Sequence, residues 1–192
     1  MKLARQSWFG QFPGMSPAMT LDRFVFVDEF GATTQMQRTH GRAPRGVRVV
    51  SKVPHGHWKV LSTIAAMTTR GILSSATIDG ATDTDAFLAF VGGALVPSLR
   101  EGQVVVMDNL APHKHPRVRE LVEGAGCRLL YLPPYSPDYN PIEQAISKVK
   151  SVLRTAACRD VALLYDRIGD ALKTVTADNA RAYMLHSGYT LP

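Results

Sequence analysis

The apolar positions of the chain change their period more than once. Residues 23–28, RFVFVD, form a short apolar run ending in an acid, the pattern of a buried strand. Further strands are expected over 33–39 and 57–68, parted by GRAPRG, where Gly41, Pro44 and Gly46 punctuate a loop. Residues 71–78 add another strand, closed by the turn pair Asp79-Gly80. Between 83 and 98 the period turns helical, with Phe87, Phe90, Val91, Leu95 and Leu99 on one stripe. VVVMD, 104–108, is apolar up to its last residue and predicts a central strand.

A helix near 114–124 and a strand at 127–132 follow. LPPYSPDYNP then places four prolines in ten residues, which excludes regular structure until Pro141. Asn140 as N-cap and Pro141 in the first turn open a helix with an apolar stripe of Ile142, Ile146, Val149 and Leu153. Helices near 160–174 and 177–186 complete the chain. Strands first, then alternating helix and strand, make an α/β fold with a central mixed sheet flanked by helices.

Charge adds a partner class. Lys and Arg number 22 against 16 Asp and Glu, a net +6. No acid occurs from Phe30 to Ile78, while Arg38, Arg42, Arg45, Arg48, Lys52, Lys59 and Arg70 all fall there. A field of one sign attracts polyanions such as nucleic acid, although a solvated basic face would look the same. Cys127 and Cys158 stand far apart without a CxxC, so neither a zinc site nor a disulfide framework is suggested. The start reads as no signal peptide and no apolar run nears the ~20 residues a bilayer span needs. A reduced cytoplasmic setting without membrane contact is expected.

Asp28 and Asp108 close two predicted strands. Carboxylates at the ends of neighbouring central strands repel one another unless a cation neutralises them, and Mg²⁺ suits such an oxygen cluster. Strand-ending aspartates also start ordinary turns. Glu143 adds a third acid, at a position a capping box would also explain. Ser147, Lys150 and Arg154 lie on its side of the helix, the arrangement of an acidic site beside a phosphate track. His113, Lys114 and His115 follow Asp108 and read as solvated loop residues or phosphate contacts. His55, His57 and Trp58 are weaker candidates of the same kind.

These motifs resemble a known family. VVMDNLAPHK (105–114) and LLYLPPYSPDYNPIEQAISKVKSVLR (129–154) are similar to the second and third catalytic motifs of DDE transposases of the mariner superfamily, within it the bacterial insertion-sequence group called the six-thirty family. The 34 residues from 109 to 142 between Asp108 and Glu143 match that group's spacing. FVFVDEFGATTQ resembles the first motif and sets its aspartate at Asp28 rather than Glu29. GRAPRG, PHGHWK and RAYMLHSGY fit the same progression from about residue 20 onward.

The resemblance implies an RNase H-like fold whose Asp28, Asp108 and Glu143 bind two Mg²⁺ or Mn²⁺ ions about 3.5–4 Å apart. Cleavage of DNA and strand transfer by the freed 3′-hydroxyl, typically at a TA dinucleotide, would follow at one site. Asn109 is expected to orient Asp108. Arg42, Arg45, Lys150 and Arg154 are the expected contacts to the DNA backbone. The partners implied are transposon ends and target DNA, with a homodimer in the synaptic complex and association with the bacterial nucleoid.

Two positions depart from the pattern. Ile146 stands where an aromatic residue is common. Residues 1–20 read as a residual linker helix ahead of a catalytic domain over 21–192, with the family's helix-turn-helix domains absent or separately encoded. A catalytically silent DNA-binding fragment that partners or inhibits a full-length enzyme is the alternative. A structure-specific nuclease on the same fold fits the motifs less well.

Overall fold

The computed structural model describes Trp8 and residues 21–189. The expected linker helix over 1–20 therefore lies, Trp8 apart, outside the described residues.

Five strands form one sheet: β1 (Phe24–Thr33), β2 (Val60–Thr68), β3 (Gly71–Asp79), β4 (Val104–Met107) and β5 (Arg128–Tyr131). Their order is β3-β2-β1-β4-β5. The β1–β2 and β2–β3 pairs are antiparallel, whereas β4 runs parallel to β1 and β5 parallel to β4. The β2–β3 hairpin turns at Thr69-Arg70 into Gly71, whose φ of 106° suits glycine. The parallel partners need crossovers, which helices supply.

Those helices are α1 (Thr84–Phe90), α2 (Pro116–Gly124), α3 (Ile142–Ala156), α4 (Val161–Lys173) and α5 (Ala177–His186). Each start but one follows local chemistry. Asp83, Asp160 and Thr176 cap α1, α4 and α5, and Pro116 occupies the first turn of α2. The stripe expected over 83–98 is real, but α1 continues as a widened π turn over Val91–Leu95 and a 3-10 turn over Val96–Ser98. Gly92, Gly93 and Pro97 lie in that stretch, and such residues loosen the i→i−4 ladder.

The sheet is sandwiched. On one face Phe24, Phe26, Phe30, Ala65, Val104 and Val106 pack with Ile142, Val149, Leu153, Leu164, Ile168 and Met184 of α3–α5. On the other, Val25, Val27, Ile64, Val105, Met107 and Leu129 meet Phe87, Phe90, Val91 and Leu95 from the α1 region and Val118 and Val122 of α2. Burial on both faces explains why β4 is apolar throughout. Tyr189 closes the first face, its ring 4.9 Å from that of Phe26, and its hydroxyl donates to the carbonyl of Tyr139. Trp8 Nε1 donates in turn to that hydroxyl.

One strand expectation fails and a second is trimmed at its start, both in the same place. Past Thr33, the last residue of β1, no strand forms over 34–39, and β2 begins at Val60 rather than 57. Thr33 pairs with Val60, and residues 34–59 leave the sheet as an irregular arm. The arm is pinned at its base, where Thr34 N–H donates to the Lys59 carbonyl and the Gln35 amide to Pro54. Arg159 binds the carbonyls of Thr34 and Met36 from the α3–α4 corner. Beyond that base the β-prone residues Val47, Val49, Val50 and Val53 are exposed, so burial cannot fix them in a sheet. Among the described residues no helix is long and apolar enough to cross a membrane.

Candidate active site

β1 is longer than the motif RFVFVD suggests, and that extension shapes the site. The strand continues to Thr33 on the β2 side, where Asp28 pairs with Ala65, while pairing with β4 stops at Phe26 and Val106. Extending that parallel register by two residues sets Asp28 beside Asp108, which follows the last residue of β4. Both belong to the alternation that faces α3, as Phe26 and Val106 do. Glu143, in the first turn of α3, completes the set. Asp28, Asp108 and Glu143 line one cavity of about 540 Å³, walled by Asn109, Lys114, Pro133 and Tyr135.

Asp28 is 9% exposed. Its Oδ1 accepts the backbone N–H of Glu29 at 2.8 Å, and its Oδ2 accepts the side-chain amide of Asn140 at 2.8 Å. Burial raises its pKa to about 7, and the charges of Glu143, Asp108 and Glu29 push the same way against the Glu29 N–H. Such a carboxyl is poorly stabilised as an anion by the protein alone. Among the described residues, however, no three His, Cys, Asp or Glu side chains are gathered tightly enough to hold a metal ion. The acids share a cavity without forming a closed cage. Three carboxylates around one opening, one of them short of positive charge, are nonetheless a donor set that fits a hard divalent cation.

Asp108 is drawn toward His113, a residue expected on a solvated loop or against phosphate. His113 is fully buried, held 4.3 Å from the ring of Phe87. Its Nδ1 lies 2.5 Å from Asp108 Oδ1, a close ion pair. Its Nε2 lies 3.0 and 3.1 Å from the two carboxylate oxygens of Glu29. Tyr131 donates its hydroxyl to the His113 carbonyl at 2.7 Å. Burial alone would lower the His113 pKa, but the Asp108 and Glu29 carboxylates overcome it and raise the value to about 9. Asp108 moves the other way: burial would raise its pKa, but His113, the Leu110 N–H and Lys114 together hold it below the usual range. An imidazolium thus bridges the Asp108 site to Glu29, which points to the α1 face. Lys114 and His115 are exposed, as expected of loop residues.

Two further expectations are redirected. Asn140 is not the N-cap of α3: that position is Pro141, with no side-chain cap, and Asn140 spends its amide on Asp28. Asn109 donates its amide to the Leu132 carbonyl, bracing the cavity wall rather than the adjacent aspartate. Arg42 and Arg45 lie exposed on the arm, and Lys150 and Arg154 sit half-buried on α3. The roles of His113 and Asn140 have little local signal, because Glu29 lies 84 residues from His113 and Asp28 lies 112 residues from Asn140.

A family model described as DDE superfamily endonuclease matches residues 23–164, which contain all three acids. The chain belongs to this family. Solved structures give the same architecture for this DDE endonuclease. A pre-cleavage Mos1 transpososome aligns with a TM-score of 0.71 at 12% identity, over 100% of this chain and 62% of that one. A mariner Mos1 paired end complex with Mg gives 0.73 at 12% identity, over 99% and 60%. The Mos1 transposase catalytic domain with Raltegravir and Mn gives 0.64 at 13% identity, over 97% and 88%. At these identities the likeness fixes the fold, which is RNase H-like. The DDE endonuclease spans about three fifths of the Mos1 chains in the first two assemblies. No curated protein matches it.

Proposed function

We propose that this chain is the catalytic domain of a DNA transposase, cutting DNA and joining the freed end to a target by cut-and-paste transposition. The observation that carries the reading is the convergence of Asp28, Asp108 and Glu143 on one cavity in a member of the DDE endonuclease family. In this reading the three acids hold two Mg²⁺ or Mn²⁺ ions. When bound, those ions supply Lewis acidity at the scissile phosphate and lower the pKa of attacking water.

The protein's own groups have separate tasks. Asp28 and Asp108 are the residues that would hold the cations, Asp28 oriented by the Asn140 amide and Asp108 by His113. Glu143, exposed at the cavity mouth on α3, closes the third side. His113 keeps Asp108 anionic and fixed, since an imidazolium at 2.5 Å favours the charged carboxylate. Asn109 holds the wall between β4 and the loop after β5. The TA target, the assignment to bacterial insertion sequences of the six-thirty group and a nucleoid location rest on the motif resemblance. A silent fragment is the weaker reading, because the three acids and the His113 bridge serve no purpose in a protein that only binds DNA.

The test is nicking of supercoiled plasmid by the purified chain with Mn²⁺. Cleavage that EDTA abolishes is expected; no cleavage at any Mn²⁺ concentration would sink catalysis by this chain alone.

DNA is assigned to the basic arm and the face of α3. Arg42 and Arg45 on the arm, and Lys150 and Arg154 beyond Glu143, are proposed as phosphate contacts. The Arg42→Ala/Arg45→Ala variant should then bind duplex DNA more weakly on every sequence. Its log K against log salt slope should be shallower by about 0.9 per lost contact. An unchanged slope removes the arm from the DNA path. The exposed valines of the arm and Trp58 support a covering partner, for which a second copy in the synaptic complex is the simplest choice. Light scattering that finds one chain per pair of DNA ends would refute it.

A further inference from the structure

Asn140 carries an unexplained atom. The residue is 3% exposed, and its Nδ2 donates to Asp28 Oδ2 at 2.8 Å. With Asp28 ionised, as a bound cation requires, the carboxylate only accepts, so the amide presents its nitrogen to Asp28 and its oxygen elsewhere. That oxygen, Oδ1, is buried and has no hydrogen-bond partner. Buried acceptors are nearly always paired, so an orphan needs a reason. Asn140 also lines the cavity of the three acids. Its backbone carbonyl accepts the N–H of Glu143 at 3.1 Å. One residue therefore fixes the first acid by its side chain and the third by its main chain.

We propose that Asn140 is a positioning residue for the divalent cation. Its amide nitrogen sets the orientation of Asp28, and its orphan oxygen accepts a hydrogen bond from water in the cation's hydration shell. This inference rests on the three acids binding metal. An asparagine suits the place because it offers a donor and an acceptor without adding a fourth charge. The helix gives up a side-chain cap to put it there.

Mn²⁺ affinity is the readout, measured by calorimetry and by the Mn²⁺-dependent shift in melting temperature, without DNA. Asn140→Ala should bind Mn²⁺ at least about tenfold more weakly than the parent, the usual cost of losing a group that supports a metal ligand. Asn140→Asp, close to isosteric, sets a carboxylate against Asp28. It should melt lower than the parent in EDTA and gain a larger shift from Mn²⁺. Affinities and shifts within twofold of the parent in both variants would overturn the proposal.

The unaltered protein gives an independent check on any variant that fails to fold. Mg²⁺ should move the side-chain amide NMR signals of Asn140 and leave those of Asn179, which is engaged by Lys148, in place. Signals of Asn140 that stay put at saturating Mg²⁺ overturn it as well. If the parent binds neither ion, the catalytic reading falls with it; if the parent binds and Asn140→Ala binds equally, only the role of Asn140 is lost.

Discussion

Asp108→Asn is expected to slow Mn²⁺-dependent DNA cleavage by about a thousandfold or more while the fold stays intact. Cation stabilisation of the transition state is worth several kcal/mol, and each 1.4 kcal/mol is roughly tenfold in rate. Asparagine keeps the volume, and its Oδ1 can still accept the Leu110 N–H, so local packing survives. What it loses is the negative charge. Single-turnover nicking of plasmid measures the rate, and circular dichroism verifies the fold. Glu29→Gln is the matched control. Glu29 is next to Asp28 in sequence but belongs to the opposite alternation of β1, where it meets His113. Its loss should weaken the His113 bridge and slow cleavage by no more than about tenfold, the low end for a group that acts through another. A variant Asp108→Asn that cleaves within tenfold of the parent would remove Asp108 from the site. Equal losses in both variants would mean that Asp28 has been chosen over Glu29 wrongly.

The extent to which this site can be read from sequence depends on the range of each interaction. VVVMD announces β4 because a strand buried on both faces must be apolar at every position. The stripe Ile142, Ile146, Val149 and Leu153 announces α3 for a similar reason, and all four residues are buried. The three acids came from strand ends, a helix start and the resemblance of their motifs. The arm misleads because residues 34–39 continue a pattern compatible with a strand, yet no partner strand runs beside them past Thr33. Asn140 misled because Asn-Pro before an apolar stripe satisfies every local rule for an N-cap, and only the position of Asp28 claims its amide. The burial of His113 is not legible beside Asp108 for the same reason: it depends on Phe87 and Glu29 arriving from distant elements. Local rules describe elements, whereas the residues that hold an active site answer to neighbours far away in the chain.

Without metal, the protein should lose stability as pH rises, and Asp28→Asn should remove the first part of that loss. Asp28 has its pKa raised from 3.8 to about 7 by burial and by neighbouring acids. Between those values the folded state keeps a proton that the unfolded chain has released, so raising the pH favours unfolding. The full difference is on the order of 4 kcal/mol at pH 8. His113 adds a second window. Its pKa rises from 6.5 to about 9, so its bridge stabilises fully below 6.5 and fades as pH climbs through 9. Asp108, held low, acts oppositely and only in acid, losing its contribution as pH falls below the usual carboxylate range. Melting in EDTA from pH 4 to 9 should therefore decline in two overlapping steps. In Asp28→Asn the step between 4 and 7 should vanish and the step above 6.5 remain. At pH 8 that variant should melt higher than the parent in EDTA, and Mn²⁺ should no longer raise its melting temperature. A parent equally stable at pH 5 and pH 8, or a variant less stable than the parent at pH 8, would show that Asp28 carries no unmet charge. The two-step decline, with the first step lost in Asp28→Asn, would mark the stability given up at this one carboxyl as the cost of a site built for a cation.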